Sequence, residues 1–248
     1  MSALVIANWK MNGALSAIET FAEAWASVVV PDDVHIVICP PYVYLSAVRE
    51  AMPRGVQLGA QDCAGHKAGA FTGDVAADML VESGCDWVIV GHSERRQYHA
   101  ETDEQVAQKA RLAQEAGLCA VVCVGEQLAQ REAGEHKQVV SGQLVGSLDG
   151  VDLENLVVAY EPVWAIGTGH SASPQQAEDM HRWIKDCLMT RYGADAQQIP
   201  VIYGGSVKPE TAAELFACET IDGALVGGAS LEAISFAEIA QAGASGRN

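Results

Sequence analysis

At 248 residues and 49% hydrophobic composition, the chain is long enough for one large core, although two domains of ordinary size would also fit. Its 15 lysines and arginines stand against 32 aspartates and glutamates, a formal charge of −17 that repels nucleic acid and anionic membrane surfaces and argues against either as a partner. An anionic ligand would have to be held against that field by local devices, such as backbone N–H groups and a buried lysine.

Short continuous apolar runs recur along the chain: Leu4 to Ala7, Ile36 to Cys39, Val56 to Ala60, Trp87 to Val90, Ala120 to Val124, Leu156 to Tyr160, Pro200 to Tyr203 and Ala224 to Val226. Runs without polar alternation predict strands buried on both faces, as in a parallel sheet. Segments with helical spacing lie between them. The first carries Ile18, Phe21, Ala22, Trp25 and Val28 on one face; another, Glu101 to Ala116, ends at Gly117; a third opens on Ser173-Pro174, an N-cap followed by a first-turn proline. Eight strand–helix units of about 31 residues each predict an α/β fold, a single-domain (β/α)8 barrel over residues 1–248. An open doubly wound sheet has the same alternation, but no G-x-G-x-x-G follows the first strand.

The seven cysteines are an odd count and show neither a CxxC nor a paired Cys/His zinc spacing, so they read as reduced thiols filling the core of a cytoplasmic protein. The run Ala3 to Ala7 is too short for a signal-peptide core, and no segment approaches the roughly 18 apolar residues of a membrane span.

The residues after each predicted strand carry more information. The first is followed by Asn8 and Lys10, the fourth by Gly91-His92-Ser93-Glu94, the fifth by Gly125-Glu126, the sixth by Glu161, the seventh by Gly204-Gly205-Ser206 and the eighth by Gly227-Gly228. In a barrel these positions converge on the C-terminal rim, where active sites form. Lysine, histidine and glutamate there, opposite two glycine-rich turns, suit proton transfer on a small phosphorylated carbonyl compound. The turns let backbone N–H groups approach a phosphate. Lys10 neutralises the substrate, His92 polarises a carbonyl and shuttles protons between oxygens, and Glu161 removes a carbon-bound proton. Each residue alone has a plainer reading as a surface charge or a hydrogen-bonded loop residue; their convergence favours the catalytic one.

The chain resembles the triosephosphate isomerase family along its whole length. The resemblance rests on AxNWKMN at Ala7 to Asn12, GHSERR at Gly91 to Arg96, CxGE at Cys123 to Glu126, AYEPVWAIGTG at Ala159 to Gly169, YGGSV at Tyr203 to Val207 and VGGASL at Val226 to Leu231. It implies a TIM barrel that interconverts dihydroxyacetone phosphate and glyceraldehyde 3-phosphate through an enediolate, without cofactor or metal. Lys10 would bind substrate and stabilise charge, His92 would act as a neutral electrophile and Glu161 as the base. Asn8 would hold the oxygen side, and Glu94 would anchor the lysine or join a proton relay. Phosphate would rest on N–H groups of Gly167, Ser206, Gly227 and Gly228.

The resemblance also makes the segment after Glu161 a lid. Pro162, Val163 and Trp164 form a first hinge, Ala165, Ile166, Gly167 and Thr168 the tip, and Gly169, His170, Ser171 and Ala172 the second hinge. His170 departs from the lysine that many members carry there. Ile166 with Leu225 would close over the base and dry it, raising its pKa. The glycine-bearing stretch from Gln61 to Asp74 reads alone as a surface or interaction loop. The resemblance makes it a loop that enters a neighbouring subunit, with Thr72 near the partner copy's residues 8–10, and so implies a homodimer. A barrel aldolase or phosphosugar epimerase would need a Schiff-base lysine at a later strand end or a metal cluster, and neither is visible. A catalytically inactive scaffold barrel would have lost one of Lys10, His92 and Glu161.

Overall fold

The computed structural model describes residues 3–53, 55–166 and 172–245. Eight parallel strands close a barrel in chain order: β1 (Ala3–Asn8), β2 (Val34–Cys39), β3 (Val56–Ala60), β4 (Trp87–Val90), β5 (Cys119–Val124), β6 (Leu156–Tyr160), β7 (Val201–Tyr203) and β8 (Gly223–Val226). Closure is made by β1 against β8, with Leu4 opposite Gly223 and Ala7 opposite Val226. The eight apolar runs are therefore the eight strands, shifted by at most two residues at their ends.

Each strand divides its residues between two cores because successive side chains point to opposite faces. Leu4 and Ile6, Val37 and Cys39, Val121 and Cys123, Val157 and Ala159, and Ile202 and Leu225 fill the barrel's inside. Their neighbours, among them Val5, Ile38, Val90, Val122 and Val158, pack outward against the helices. Burial on both faces explains the unbroken apolar runs. It also accounts for Cys39 and Cys123, which are small and fully enclosed. All seven cysteines are free thiols.

The same period of two carries functional side chains to the mouth. Leu4 and Ile6 lead to Asn8, and Val157 and Ala159 lead to Glu161. The inside of the barrel thus ends in polar groups.

Helices α1 (Leu15–Trp25), α2 (Leu45–Ala51), α3 (Ala77–Glu82), α4 (Ser93–Tyr98), α5 (Asp103–Glu115), α6 (Leu128–Glu132), α7 (His136–Ser147), α8 (Pro174–Tyr192), α9 (Pro209–Phe216) and α10 (Ala233–Ser245) surround the strands. Ser173 caps α8 as expected, accepting from the Gln176 N–H, and Pro174 opens the helix. The helix expected from Glu101 begins later. Thr102 accepts from the Gln105 N–H in a capping box, which starts α5 at Asp103 and leaves Glu101 before it. Gln61 to Asp74 contains neither helix nor strand. No helix among the described residues is long and apolar enough to cross a membrane.

Candidate active site

A cavity of about 510 Å³ opens at the C-terminal mouth of the barrel. Asn8, Lys10, His92 and Leu225 line it together with Ile166, Ser206, Gly227 and Gly228. Residues from β1, β4, β7 and β8 thereby share one space, as the rim positions predicted. The phosphate-side N–H of Gly167 and the lid positions Gly167, Thr168, Gly169, His170 and Ser171 lie outside the described residues.

Lys10 is presented by a strained backbone. Its φ of 52° falls in the left-handed region that a lysine seldom adopts. The Asn8 Oδ1 accepts from the Lys10 N–H at 3.1 Å, and the Gln61 side chain donates to the Lys10 carbonyl at 2.9 Å. Those contacts hold the turn in place. The ammonium meets Glu94 Oε1 at 2.6 Å.

His92 is the N-cap of α4, and its Nδ1 accepts from the Glu94 N–H at 3.2 Å. A ring nitrogen that accepts carries no proton, so this contact describes the neutral imidazole with its proton on Nε2. Nε2 lies 2.9 Å from Glu161 Oε1. Burial opposes the charged ring, but the Glu161 carboxylate and then Glu94 outweigh it and hold the His92 pKa above its ordinary value.

Glu161 stands differently from the expectation. Its carboxylate is 1% exposed and does not line the mouth cavity; it faces a smaller one of about 130 Å³ between the ends of β4, β5 and β6. There Oε2 accepts from the Ser93 N–H at 2.8 Å and Oε1 from the Ser93 hydroxyl at 3.1 Å. Burial favours the neutral acid, yet His92 and the Ser93 donors prevail and hold the pKa below the ordinary carboxylate value. A pKa raised by desolvation thus does not describe this conformation. Ile166 and Leu225 line the mouth cavity, which Glu161 does not.

Several residues that hold the site had no role in the sequence reading. Glu126 is fully buried, and its Oε1 accepts from the Tyr160 hydroxyl at 3.1 Å, Trp164 Nε1 at 2.9 Å and Arg131 at 3.1 Å. The Val163 N–H donates to the Glu126 carbonyl at the start of a short 3-10 turn over Val163–Ala165. Arg96 donates to the carbonyls of Gly91 and Cys123, tying the ends of β4 and β5 together at 2.8 and 3.0 Å. Gln143 on α7 clamps both the N–H and the carbonyl of Gly125. Position after a strand flagged Ser93, Gly125 and Glu126, but their partners lie tens of residues away and left no local pattern.

Glycine at 205 has a packing cause as well. A Cβ there would stand 2.2 Å from the Tyr203 hydroxyl, so the turn lies directly over that ring.

The eight-stranded parallel barrel, with a lysine and a histidine at its C-terminal mouth and a buried glutamate against the histidine, defines the class: a (β/α)8 barrel with polar and charged groups gathered at the rim where such barrels carry their active sites. Comparison with known proteins makes the class specific. The triosephosphate isomerase family model matches residues 3–243. The triosephosphate isomerase of Alkalilimnicola ehrlichii is 51% identical over 244 residues, covering 96% of this chain and 97% of that protein. That of Ruegeria pomeroyi is 51% identical over 245 residues, 96% of each chain, and that of Rhodopseudomonas palustris 48% over 243 residues, again 96% of each. The chain belongs to the triosephosphate isomerase family. Its activity is the glycolytic interconversion of dihydroxyacetone phosphate and glyceraldehyde 3-phosphate.

Proposed function

We propose that Glu161, His92, Lys10 and Asn8 carry out this isomerisation through an enediolate, and that Glu161 moves between two positions during turnover. The observation that supports it most is the 2.9 Å contact between His92 Nε2 and Glu161 Oε1 at the edge of the mouth cavity. Rotation of the Glu161 side chain away from Ser93 brings the carboxylate to the substrate carbon. It takes a proton from C1 of dihydroxyacetone phosphate and returns it to C2. The His92 Nε2–H donates to the developing oxyanion and moves a proton between O1 and O2. Substrate and product are isomers, so the step needs no oxidant or reductant.

Departure of the carboxylate also tunes the imidazole. Glu161 is the principal group raising the His92 pKa, so its departure lowers that pKa, and the donor at Nδ1 favours the ring with its proton on Nε2. A neutral imidazole is the form that can give up Nε2–H and take it back. Once Ile166 and the remaining lid close the cavity with Leu225, loss of water favours a stronger base. Lys10, released by Glu94 to the substrate, and the backbone N–H groups of Gly167, Ser206, Gly227 and Gly228 hold the phosphate end.

The homodimer belongs to the same reading. Met11 is 96% exposed beside Lys10, and Val43, Phe71 and Tyr98 also stand exposed. Such side chains suit burial by a second copy. Thr72, in an exposed loop, would reach the partner copy's site. The free thiols suit a reducing cytoplasm. A coupled assay with glyceraldehyde 3-phosphate tests the activity, and absence of turnover by the purified wild-type protein would overturn it.

A further inference from the structure

We propose that Lys208 is a substrate-capture residue: its ammonium draws the phosphate dianion into the mouth of the barrel and raises kcat/KM without contributing to kcat. The proposal rests on the isomerase reading of the cavity and concerns a residue outside the set that performs the chemistry. Among the described residues, Lys10 and Lys208 are the two lysines lining the mouth, and no aspartate or glutamate lines it. The chain as a whole carries a formal charge of −17. A phosphate monoester of nearly two negative charges therefore approaches against a repulsive field, and a cavity free of carboxylates is where the field can change sign.

The cation that produces this change is not Lys10 alone. Lys10 is engaged by Glu94 at 2.6 Å, and the pair carries little net charge when viewed from a distance. The other lysines are committed elsewhere. Lys67 pairs with Glu115, Lys109 with Asp62 and Glu101, and Lys185 with Asp222, while Lys137 lies over the Trp183 ring. Lys208 has no ion-pair or ring partner among the described residues and is exposed.

Its backbone is nevertheless fixed. Lys208 is the residue before α9, and its carbonyl accepts from the N–H groups of Thr211 and Ala212, both at 3.0 Å. The stem starts from a rigid point two residues after Ser206, so the ammonium stays on the phosphate side while its long side chain remains free to follow an entering dianion. An exposed charge of this kind acts at a distance and is screened by salt. It assists encounter, whereas Lys10 is buried deeper and is needed as charge develops on the reacting oxygens.

Steady-state kinetics of wild type, Lys208→Gln and Lys208→Arg, from about 10 mM to about 0.5 M ionic strength, separate these roles. Inorganic phosphate serves as a competitive probe of the same subsite. Lys208→Gln should lower kcat/KM by about three- to tenfold at low ionic strength, leave kcat within about twofold and weaken inhibition by inorganic phosphate. The deficit should close as salt rises, and Lys208→Arg should restore wild-type values. Equal salt dependence in wild type and Lys208→Gln would overturn the proposal. So would a fall in kcat that persists at every salt concentration, the mark of a structural role at the start of α9. Failure of the wild type to turn over glyceraldehyde 3-phosphate would instead remove the isomerase reading beneath it.

Discussion

Ser93 holds Glu161 away from the mouth cavity through both its backbone and its side chain, at 2.8 and 3.1 Å. Ser93 directly follows His92, so the proposed electrophile and the residue that holds Glu161 sit side by side at the start of α4. In the proposed mechanism this is the resting place of the base. His92 and the two Ser93 donors hold its pKa below the ordinary carboxylate value, and in the proposed mechanism it leaves the Ser93 donors before it acts.

The Ser93 hydroxyl is therefore open to test. Ser93→Ala removes one donor to a carboxylate while keeping the backbone N–H. Hydrogen bonds to charged groups contribute about 1.5–3 kcal/mol. The Glu161 pKa should rise toward the ordinary carboxylate value, because a group stabilising the ionised form has gone. Carboxyl titration by carbon NMR with labelled glutamate reads this directly. An unchanged or lower pKa would mean that the parked position is not the resting state in solution.

Glu161→Gln separates chemistry from binding. Loss of a positioned base should lower kcat by roughly 10²- to 10⁴-fold, with a much smaller change in KM. The same substitution should lower the His92 pKa, since Glu161 is the leading group that raises it. Nitrogen NMR of the imidazole would show the fall. The stability consequence has a definite sign. The raised His92 pKa contributes stability present below the ordinary value of 6.5 and lost as pH rises through the folded pKa. The lowered Glu161 pKa contributes stability present above the ordinary value of 4.5 and lost as pH falls through the folded pKa. The melting-temperature difference between wild type and Glu161→Gln should thus be largest between these limits and shrink on both sides. A near-normal kcat in the Gln variant would remove Glu161 from the mechanism.

Gly125 tests the support behind the base. A Cβ at this position would lie 1.7 Å from the Glu161 carbonyl oxygen, a clash with backbone that no side-chain rotation relieves. The neighbouring ladder contacts, from the Glu161 N–H to the Val124 carbonyl and from the Val163 N–H to the Glu126 carbonyl, would have to shift with it. Overpacking of this kind costs about 1–3 kcal/mol. Gly125→Ala should lower the melting temperature by about 2–12 °C and reduce kcat, as both the base and the lid hinge move. Calorimetry beside the coupled assay checks both, and a fully active, equally stable variant would show that β6 does not depend on this approach.

This support also marks how far the sequence could be read. Asn8, Lys10, His92 and Glu161 stood out because they come just after apolar runs. The barrel was legible for the same reason: strands buried on both faces leave unbroken apolar runs of regular spacing. Ser93 with Glu161 was not, since the two are 68 residues apart and each looks ordinary beside its own neighbours. Gln143 on Gly125 and the three donors on Glu126 are hidden in the same way. Glu101 was absorbed into a helix by its neighbours' spacing, whereas Thr102 caps the helix after it and frees its carboxylate to meet Arg95 and Lys109.

The loop from Gln61 to Asp74 carries the assembly prediction. Its tip is organised by its own contacts, with His66 stacked on Phe71 at 3.9 Å and the Ala64 N–H donating to Val75. Replacing residues 64–70 with a tight polar turn should leave the barrel folded, because none of them lies in its strands. It should give monomers that lose most activity if Thr72 completes the partner copy's site. Sedimentation and assay should fall together, and a fully active monomer would reduce the loop to a surface feature.

The lid prediction follows from what the enediolate can do when it is not held. Next to a carbon bearing phosphate, the enediolate expels that phosphate if the C–O bond swings out of the enediol plane. Its electron pair then forms a new C=C bond, inorganic phosphate leaves, and tautomerisation gives methylglyoxal. Holding the phosphate in the plane and closing the cavity is therefore a matter of product identity as well as rate. Pro162 to Ile166, the start of the proposed lid, are tied to Glu126 through Trp164 Nε1 and the Val163 N–H. Deleting residues 166–168 and joining the ends should leave Lys10, His92 and Glu161 in place, since strand ends and α4 position them. Isomerisation should slow, and a much larger share of turnovers should end in methylglyoxal and inorganic phosphate. Phosphate release measured against coupled isomerase activity gives the partition. A slower enzyme with an unchanged product ratio would show that the lid does not guard the intermediate.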